Sequence, residues 1–173
     1  MRSFLALFLC GLFLSSHAQS DSTFWKPLNR RSVRKLPPIK PLPKSYSVWS
    51  LNWDSLWVKI PSVEQTERTV DIWLPLPGDS LVRFRVRLAP ILSPTLARKY
   101  PEIRSLEGKA IEQNSCLLRL EFSAKGLRAE IRSPQGTFRI SPYSKKSKRI
   151  YLVYLRDDLQ TPGSPYAPKE SRN

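Results

Sequence analysis

The chain has 173 residues, with 29 Lys and Arg against 14 Asp and Glu, and its formal net charge is +15 at pH 7. This length accommodates one ordinary domain and is short for two, while the basic surplus favours acidic partners such as a protein surface, nucleic acid, or the anionic polymers and lipids of a cell envelope. With two cysteines in total, a disulfide-rich scaffold is excluded.

Residues 1–18 have the three-part pattern of a cleavable secretory signal peptide. One arginine precedes an uncharged apolar run, small residues occupy the −3 and −1 positions, and cleavage is expected between Ala18 and Gln19. The apolar run is shorter than the roughly 20 residues of a transmembrane helix, and no later segment replaces it. The sequence therefore predicts a mature chain that is secreted, periplasmic or envelope-associated, without a transmembrane segment. Lipid attachment at Cys10 is the less favoured alternative, because large residues precede it.

Residues 19–47 form a basic, proline-rich segment that the sequence predicts as a disordered linker. Between positions 26 and 44 it carries seven Lys and Arg, five prolines and no acid. Proline removes backbone donors and charge repulsion extends the chain, so a semi-rigid, partly polyproline conformation is expected. A minimal PxxP at Pro38 and Pro41 and a polybasic processing site at 31–35 are weaker alternatives to a plain solvated linker.

The aromatic segment 46–62 predicts a short amphipathic helix. It offers Asn52 or Asp54 as a cap, and Pro61 ends it. Three tryptophans are expected to anchor this helix on the domain that follows: Trp49, Trp53 and Trp57. A second helix, of about two turns, is predicted after Ser93 because a proline occupies its first position and another proline stops it.

Apolar and polar residues alternate with a period of two over much of the remaining chain, which predicts about six strands. The strands are expected at 70–76, 82–88, 116–122, 127–131, 138–140 and 149–155. Turn residues separate neighbouring strands at 78–79, 124–126 and 134–136. The last strand is apolar enough for burial on both faces. The predicted fold is thus mainly β, an antiparallel sheet of about six strands with one or two short helices over 48–159, followed by a disordered tail at 160–173.

The mature chain lacks the residues of several catalytic centres. The only histidine in the sequence, His17, lies in the predicted signal peptide, so the mature chain would have none. A zinc-protease helix, a Ser-His-Asp triad and a Cys-His pair are therefore all excluded. There is no glycine-rich phosphate loop, and a hydrolase with paired carboxylates is disfavoured because the acids are scattered singly. Cys116 lies two residues before Leu118, on the same face of a predicted strand, and is therefore expected to be buried and inert. We predict that the chain is not an enzyme and holds no metal or cofactor.

A family resemblance extends over about 49–159. Its most specific pieces are the run Lys99-Tyr100-Pro101-Glu102-Ile103 with Gly108, and Pro142-Tyr143 ahead of the final strand. In these pieces the chain resembles the N-terminal propeptide-like domain of secreted bacterial zinc metalloproteases of the reprolysin type. The resemblance implies a role in assisting the folding of a protease domain or covering its cleft. Because no protease sequence follows, the chain is expected to be an orphan pro-domain, a truncated precursor, or a domain reused for binding.

Two kinds of binding surface follow from these observations. The leading hypothesis is a non-catalytic secreted module that binds a metalloprotease in trans through arginines and tryptophans, the residue types that dominate interfaces: Arg83, Arg85, Arg87, Trp49, Trp53 and Trp57. The alternative is an adhesive or envelope-associated module that binds an acidic polymer through two basic clusters: Arg30, Arg31, Arg34 and Lys35, and Lys145, Lys146, Lys148 and Arg149. Sequence-specific recognition of nucleic acid is not expected.

Overall fold

The computed structural model describes residues 24–112 and 115–159, and nine strands and two short helices account for most of these described residues. The strands are β1 (Trp25–Leu28), β2 (Ser47–Leu51), β3 (Thr69–Leu76), β4 (Ser80–Leu88), β5 (Arg104–Ala110), β6 (Leu117–Ser123), β7 (Gly126–Ser133), β8 (Gly136–Ser144) and β9 (Ser147–Leu155). The helices are α1 (Trp53–Lys59) and α2 (Pro94–Lys99), with 3₁₀ turns at Arg30–Val33 and Arg156–Asp158. The predicted signal peptide, its Ala18/Gln19 cleavage point and the tail at 160–173 lie outside the described residues.

The strands form one sheet in the order β1-β2-β9-β8-β7-β6-β5-β4-β3, in which all neighbours are antiparallel. The sheet is curled, and its edge strands β1 and β3 come into contact. One side chain of every two points into the curl, as in Ile72, Phe84, Leu120 and Ile131, all fully buried. The alternation that is visible in the sequence is therefore the alternation between the enclosed core and the outer face.

The mainly β, antiparallel fold is confirmed, although the sheet has three more strands than predicted. All six predicted strands and both helices are present, the three turns lie where expected, and Cys116 is buried in the core. The final strand is buried on both faces, since Tyr151 and Val153 enter the main core while Leu152 and Tyr154 join a second cluster.

The predicted linker is the main correction. Part of it is β1, which pairs with β2, and the rest, residues 29–46, crosses the outer face of β2, β8 and β9. We call residues 29–46 the strap. Its apolar residues Val33, Leu36 and Leu42 pack there. The backbone N–H of Ile39 donates a hydrogen bond of 2.8 Å to the carbonyl oxygen of Tyr143 in β8. Because alternating basic residues and prolines concealed these anchors, charge and proline content gave the wrong prediction for this segment.

Antiparallel order places all connections of one kind at one end of the sheet. The β2–β3, β4–β5, β6–β7 and β8–β9 connections share an end that contains both helices, and we call it the helical end. Among the described residues, no helix is long and apolar enough to cross a membrane.

Tyr151 occupies the middle of the core and supports a neighbouring strand. Its hydroxyl oxygen accepts a hydrogen bond from Leu127 N–H at 3.2 Å, and its ring packs edge-on against Trp25. Burial raises the pKa of the phenol from 10.0 to about 12. The folded protein therefore holds this proton more tightly than the unfolded chain, and the associated stability is present below pH 10 and is lost as the pH rises through about 12.

Replacement of Tyr151 by phenylalanine tests this arrangement. We expect Tyr151→Phe to lower the free energy of unfolding by about 1–3 kcal/mol at neutral pH, because the buried Leu127 N–H loses its acceptor. The difference between variant and wild type should shrink as the pH is raised past 10, which denaturant unfolding at several pH values would measure. Equal losses of stability in both proteins over this range would show that the phenol is not protected.

Candidate functional site

The three predicted interface arginines of β4 are each paired with a carboxylate. Arg85 bonds to Asp71 at 2.8 and 3.1 Å, and Arg87 bonds to Glu107 at 2.7 Å. Arg83 Nε lies 3.3 Å from a Glu112 oxygen. These pairs link neighbouring strands on the outer face, and the hydrogen bond from Arg85 lowers the pKa of Asp71. The arginines are therefore occupied in joining strands, which favours a role in solvating and stabilising the outer face over the predicted role in binding a partner.

The predicted tryptophan anchor is divided between two elements. Trp49 lies in β2 and is buried in the core, so it does not belong to the helix. Trp53 and Trp57 lie on α1, with ring centroids 6.0 Å apart in a stacked arrangement, and both contact the edge of Phe122. Of the three, only the two helical tryptophans reach the surface, and their main role is to seat α1 on the core.

Two cations flank the tryptophan stack. The guanidinium carbon of Arg104 lies 3.8 Å from the ring centroid of Trp57, and Lys148 Nζ lies 5.6 Å from that of Trp53. Arg104 also donates to the carbonyls of Ile60 and Pro61, at 2.9 and 3.2 Å. Burial lowers the pKa of Arg104, although the group stays protonated at any ordinary pH. Arg104 thus fastens the end of α1 to β5.

An exposed apolar patch lies at the helical end around α2. Ile91, Leu96 and Tyr100 are large and exposed there, and Leu96 has 44% of its surface accessible. Ile91 also lines a cavity of about 310 Å³, which is bounded mainly by apolar residues from the end of β4, the 61–68 loop and the buried side of α2, whereas Leu96 and Tyr100 lie outside it. We call Ile91, Leu96 and Tyr100 with this cavity the α2 patch. A cluster of exposed apolar groups next to an apolar cavity is typical of a surface that binds another molecule.

The α2 patch was not predicted as a site, although the sequence contains a usable signal. Leu96 and Tyr100 are four residues apart on a short helix, so they share one face, while Ala97 occupies the buried face. Two large apolar residues on a face that differs from the buried one are exposed to solvent. The patch also overlaps the run Lys99-Tyr100-Pro101-Glu102-Ile103, which carries the propeptide resemblance.

The two predicted basic clusters lie on different parts of the molecule. Lys145, Lys146, Lys148 and Arg149 form the tip of the β8–β9 hairpin at the helical end, and we call them the basic hairpin. The other cluster lies on the strap, where Arg30 stacks on the Tyr46 ring and bonds to its carbonyl oxygen. In the described part of the chain, no carboxylate forms an ion pair with either cluster. All eight residues of the two clusters are exposed.

Within residues 24–112 and 115–159, no group of three His, Cys, Asp or Glu side chains is arranged to hold a metal ion. No protein-family model, no curated protein and no solved structure matches the chain. The propeptide resemblance therefore stays a prediction that rests on the quoted residues.

Proposed function

We propose that this chain is a non-catalytic, exported module that binds a folded protein through the α2 patch, and that a secreted zinc metalloprotease domain is its partner. The observation that carries the proposal is the coincidence of three exposed apolar residues, an apolar cavity and the resemblance segment at one place. Solvent-exposed apolar groups in a cluster are costly to maintain without a partner that covers them. The partner class comes from the resemblance alone.

The composition of the patch rim fits a protein partner. Arg98 and Lys99 lie on α2 beside Leu96, and Lys99 Nζ lies 5.5 Å from the Tyr100 ring centroid. An apolar centre with arginine and tyrosine at its edge is the composition common at protein interfaces. The proposed role is to cover the partner or to assist its folding, which are the two roles that the resemblance implies.

Two matched leucines make the proposal testable. Leu96 lies in the α2 patch, and Leu117 lies on the outer face of the sheet with a similar exposure, 44% against 47%. We expect the purified chain to inhibit a reprolysin-type protease domain or to raise its refolding yield, and Leu96→Asp to weaken this effect by about tenfold or more, since a central apolar contact is worth upwards of 1 kcal/mol. Leu117→Asp should leave the effect unchanged.

Enzyme inhibition assays and refolding assays with the wild type and both variants test the partner class and the binding surface. If the wild-type chain changes neither the activity nor the refolding yield of the protease, the partner class is wrong. If Leu96→Asp and Leu117→Asp act alike, the α2 patch is not the binding surface.

A second candidate function, binding of an acidic polymer, is favoured by the contrast between paired and unpaired cations. The arginines of β4 are paired with carboxylates, whereas within the described part of the chain the basic hairpin and the strap cluster have no acidic partner. Free cations in clusters bind polyanions and release counterions, which makes the affinity depend steeply on salt.

Salt elution from heparin tests this candidate. We expect Lys145→Gln/Lys146→Gln and, separately, Arg31→Gln/Arg34→Gln/Lys35→Gln to elute at lower salt than the wild type, with the salt slope reduced by about one per lost contact. Substitution is preferable to deletion of the strap, because the strap covers part of the outer face. Arg85→Gln/Arg87→Gln, which removes paired charges, is the control, and an equal shift in that variant would indicate that only net charge matters.

A further inference from the structure

The outer face of β6, β7 and β8 carries several arginines, and not every one of them is paired with a carboxylate. Strand register places Arg119 opposite Glu107 on one side and Glu130 on the other. It places Arg128 opposite Glu121. Directly opposed residues on one face of a sheet are close enough to form ion pairs. Simple register would therefore predict a partner for each arginine.

Two of these three carboxylates, Glu107 and Glu130, are engaged elsewhere. Glu107 bonds to Arg87, and Glu130 accepts from both Arg132 and Arg139, at 3.2 and 3.1 Å. Desolvation raises the pKa of Glu130, but the hydrogen bonds from Arg139 and Arg132 outweigh it and hold that pKa below its usual range. Glu130 is thus ionised and already shared by two guanidinium groups, so it has little capacity for a third.

Two arginines of this face remain without a carboxylate. Among the described residues, neither Arg119 nor Arg128 forms an ion pair or a side-chain hydrogen bond, whereas Arg83, Arg85, Arg87, Arg132 and Arg139 all pair with acids. Because of the register, the two free arginines are diagonal neighbours on adjacent strands. Their side chains can therefore reach one ligand between them.

A groove lies between these arginines and leads toward the strap. It has a volume of about 400 Å³, and Arg119, Arg128, Ser141 and Tyr154 are among the residues that line it. Arg128, Ser141 and Tyr154 also line a smaller cavity of about 140 Å³ under the strap, where Lys40 contributes a further cation. Glu130, Arg139 and Glu121 line the groove as well. Glu121 lies directly opposite Arg128 and two residues after Arg119 on the same strand face, but among the described residues no ion pair or hydrogen bond joins it to either arginine.

We propose that this groove binds an oxyanion, a phosphate, sulfate or carboxylate group, with Arg119 and Arg128 as its two charged ligands. A guanidinium donates two parallel hydrogen bonds to such a group, and two guanidinium groups that no carboxylate engages provide the complementary set. The Ser141 hydroxyl, which lines the same groove, can donate to the same anion. This site is separate from the α2 patch and from the basic hairpin, and it does not depend on the proposed function.

Calorimetric titration of the full chain, with three probes in separate experiments, tests the site: inorganic pyrophosphate, a heparin-derived sulfated disaccharide and a short peptide rich in glutamate. We expect saturable binding of at least one probe, which identifies the source of the oxyanion. Arg119→Gln/Arg128→Gln should weaken this binding by about tenfold or more, since a hydrogen bond to a charged group contributes about 1.5–3 kcal/mol. The Nε–H resonances of Arg119 and Arg128 should shift in heteronuclear NMR spectra when the probe is added.

Two control variants separate this site from the others. Arg85→Gln/Arg87→Gln removes two paired charges from the outer face, and Leu96→Asp alters the α2 patch, so both should bind the probe as the wild type does. The proposal is overturned if none of the three probes binds, if Arg119→Gln/Arg128→Gln binds unchanged while its melting temperature matches the wild type, or if Arg85→Gln/Arg87→Gln loses as much affinity as Arg119→Gln/Arg128→Gln.

Discussion

Replacement of Gly108 by alanine is expected to destabilise the protein by about 3 kcal/mol or more, because β4 and β5 pack too closely to admit a side chain. A Cβ at Gly108 would lie 2.4 Å from the Arg85 carbonyl oxygen and 2.7 Å from Val86 Cγ1. The first of these contacts is with backbone, which cannot rotate away. The two strands would have to separate where they pair, through Val86 and Gly108.

Chemical denaturation of Gly108→Ala measures the effect, and Gly78→Asn is the control. Gly78 lies in the β3–β4 turn with φ +87°, and a Cβ there would meet nothing within 4 Å. Asparagine tolerates this left-handed conformation, so the control should change the free energy of unfolding by no more than about 1 kcal/mol. A Gly108→Ala variant as stable as the control would show that the close approach of the strands is not required.

Replacement of Arg104 by methionine is expected to loosen the helical end, with a loss of about 2–4 kcal/mol. Arg104 donates to three carbonyls, those of Ile60, Pro61 and Pro101, and stacks on Trp57. Methionine keeps most of the volume and removes all four interactions. Lysine should not restore them, because a single ammonium cannot reproduce the planar fork and the stacking together.

The measurement is denaturant unfolding of Arg104→Met and Arg104→Lys, followed by tryptophan fluorescence, which reports on Trp53 and Trp57. Arg98→Met, a substitution of an exposed arginine on α2, should stay within about 0.5 kcal/mol of the wild type. If both Arg104 variants unfold like the wild type, the contacts of this guanidinium do not hold α1 in place. If Arg104→Lys is as stable as the wild type while Arg104→Met is not, the positive charge at this position matters and the planar geometry of the guanidinium does not.

The sequence was most informative where alternation was uninterrupted. In β4 and β6 every second residue is apolar, and the structure places those residues inside the curl. β5 was missed because its sequence, RSLEGKA, contains no β-branched residue and has a glycine in its interior. That glycine belongs there because of a contact with β4, and no local pattern indicates such a long-range contact.

The site could be predicted only in part, because the sequence does not tell which cations have partners. Arg83, Arg85 and Arg87 appeared to be a free basic face, yet their acids come from β3 and from the chain at and beyond β5. Arg119 and Arg128 were not predicted as a site, and each has a glutamate two residues later in the sequence that could have served as its partner. Which arginine a carboxylate selects depends on side-chain geometry across several strands.

The position of β2 has a consequence for how the protein acquires its structure. β2 pairs with β1 and with β9, and Val48 lies opposite Leu152, roughly a hundred residues later in the chain, a separation that slows folding. The strap also packs on β8 and β9, so β2 and the strap lack their main packing partner until β9 has emerged. During synthesis the hairpins from β3 to β8 can assemble in sequence, whereas β2 and the strap must wait for the last strand.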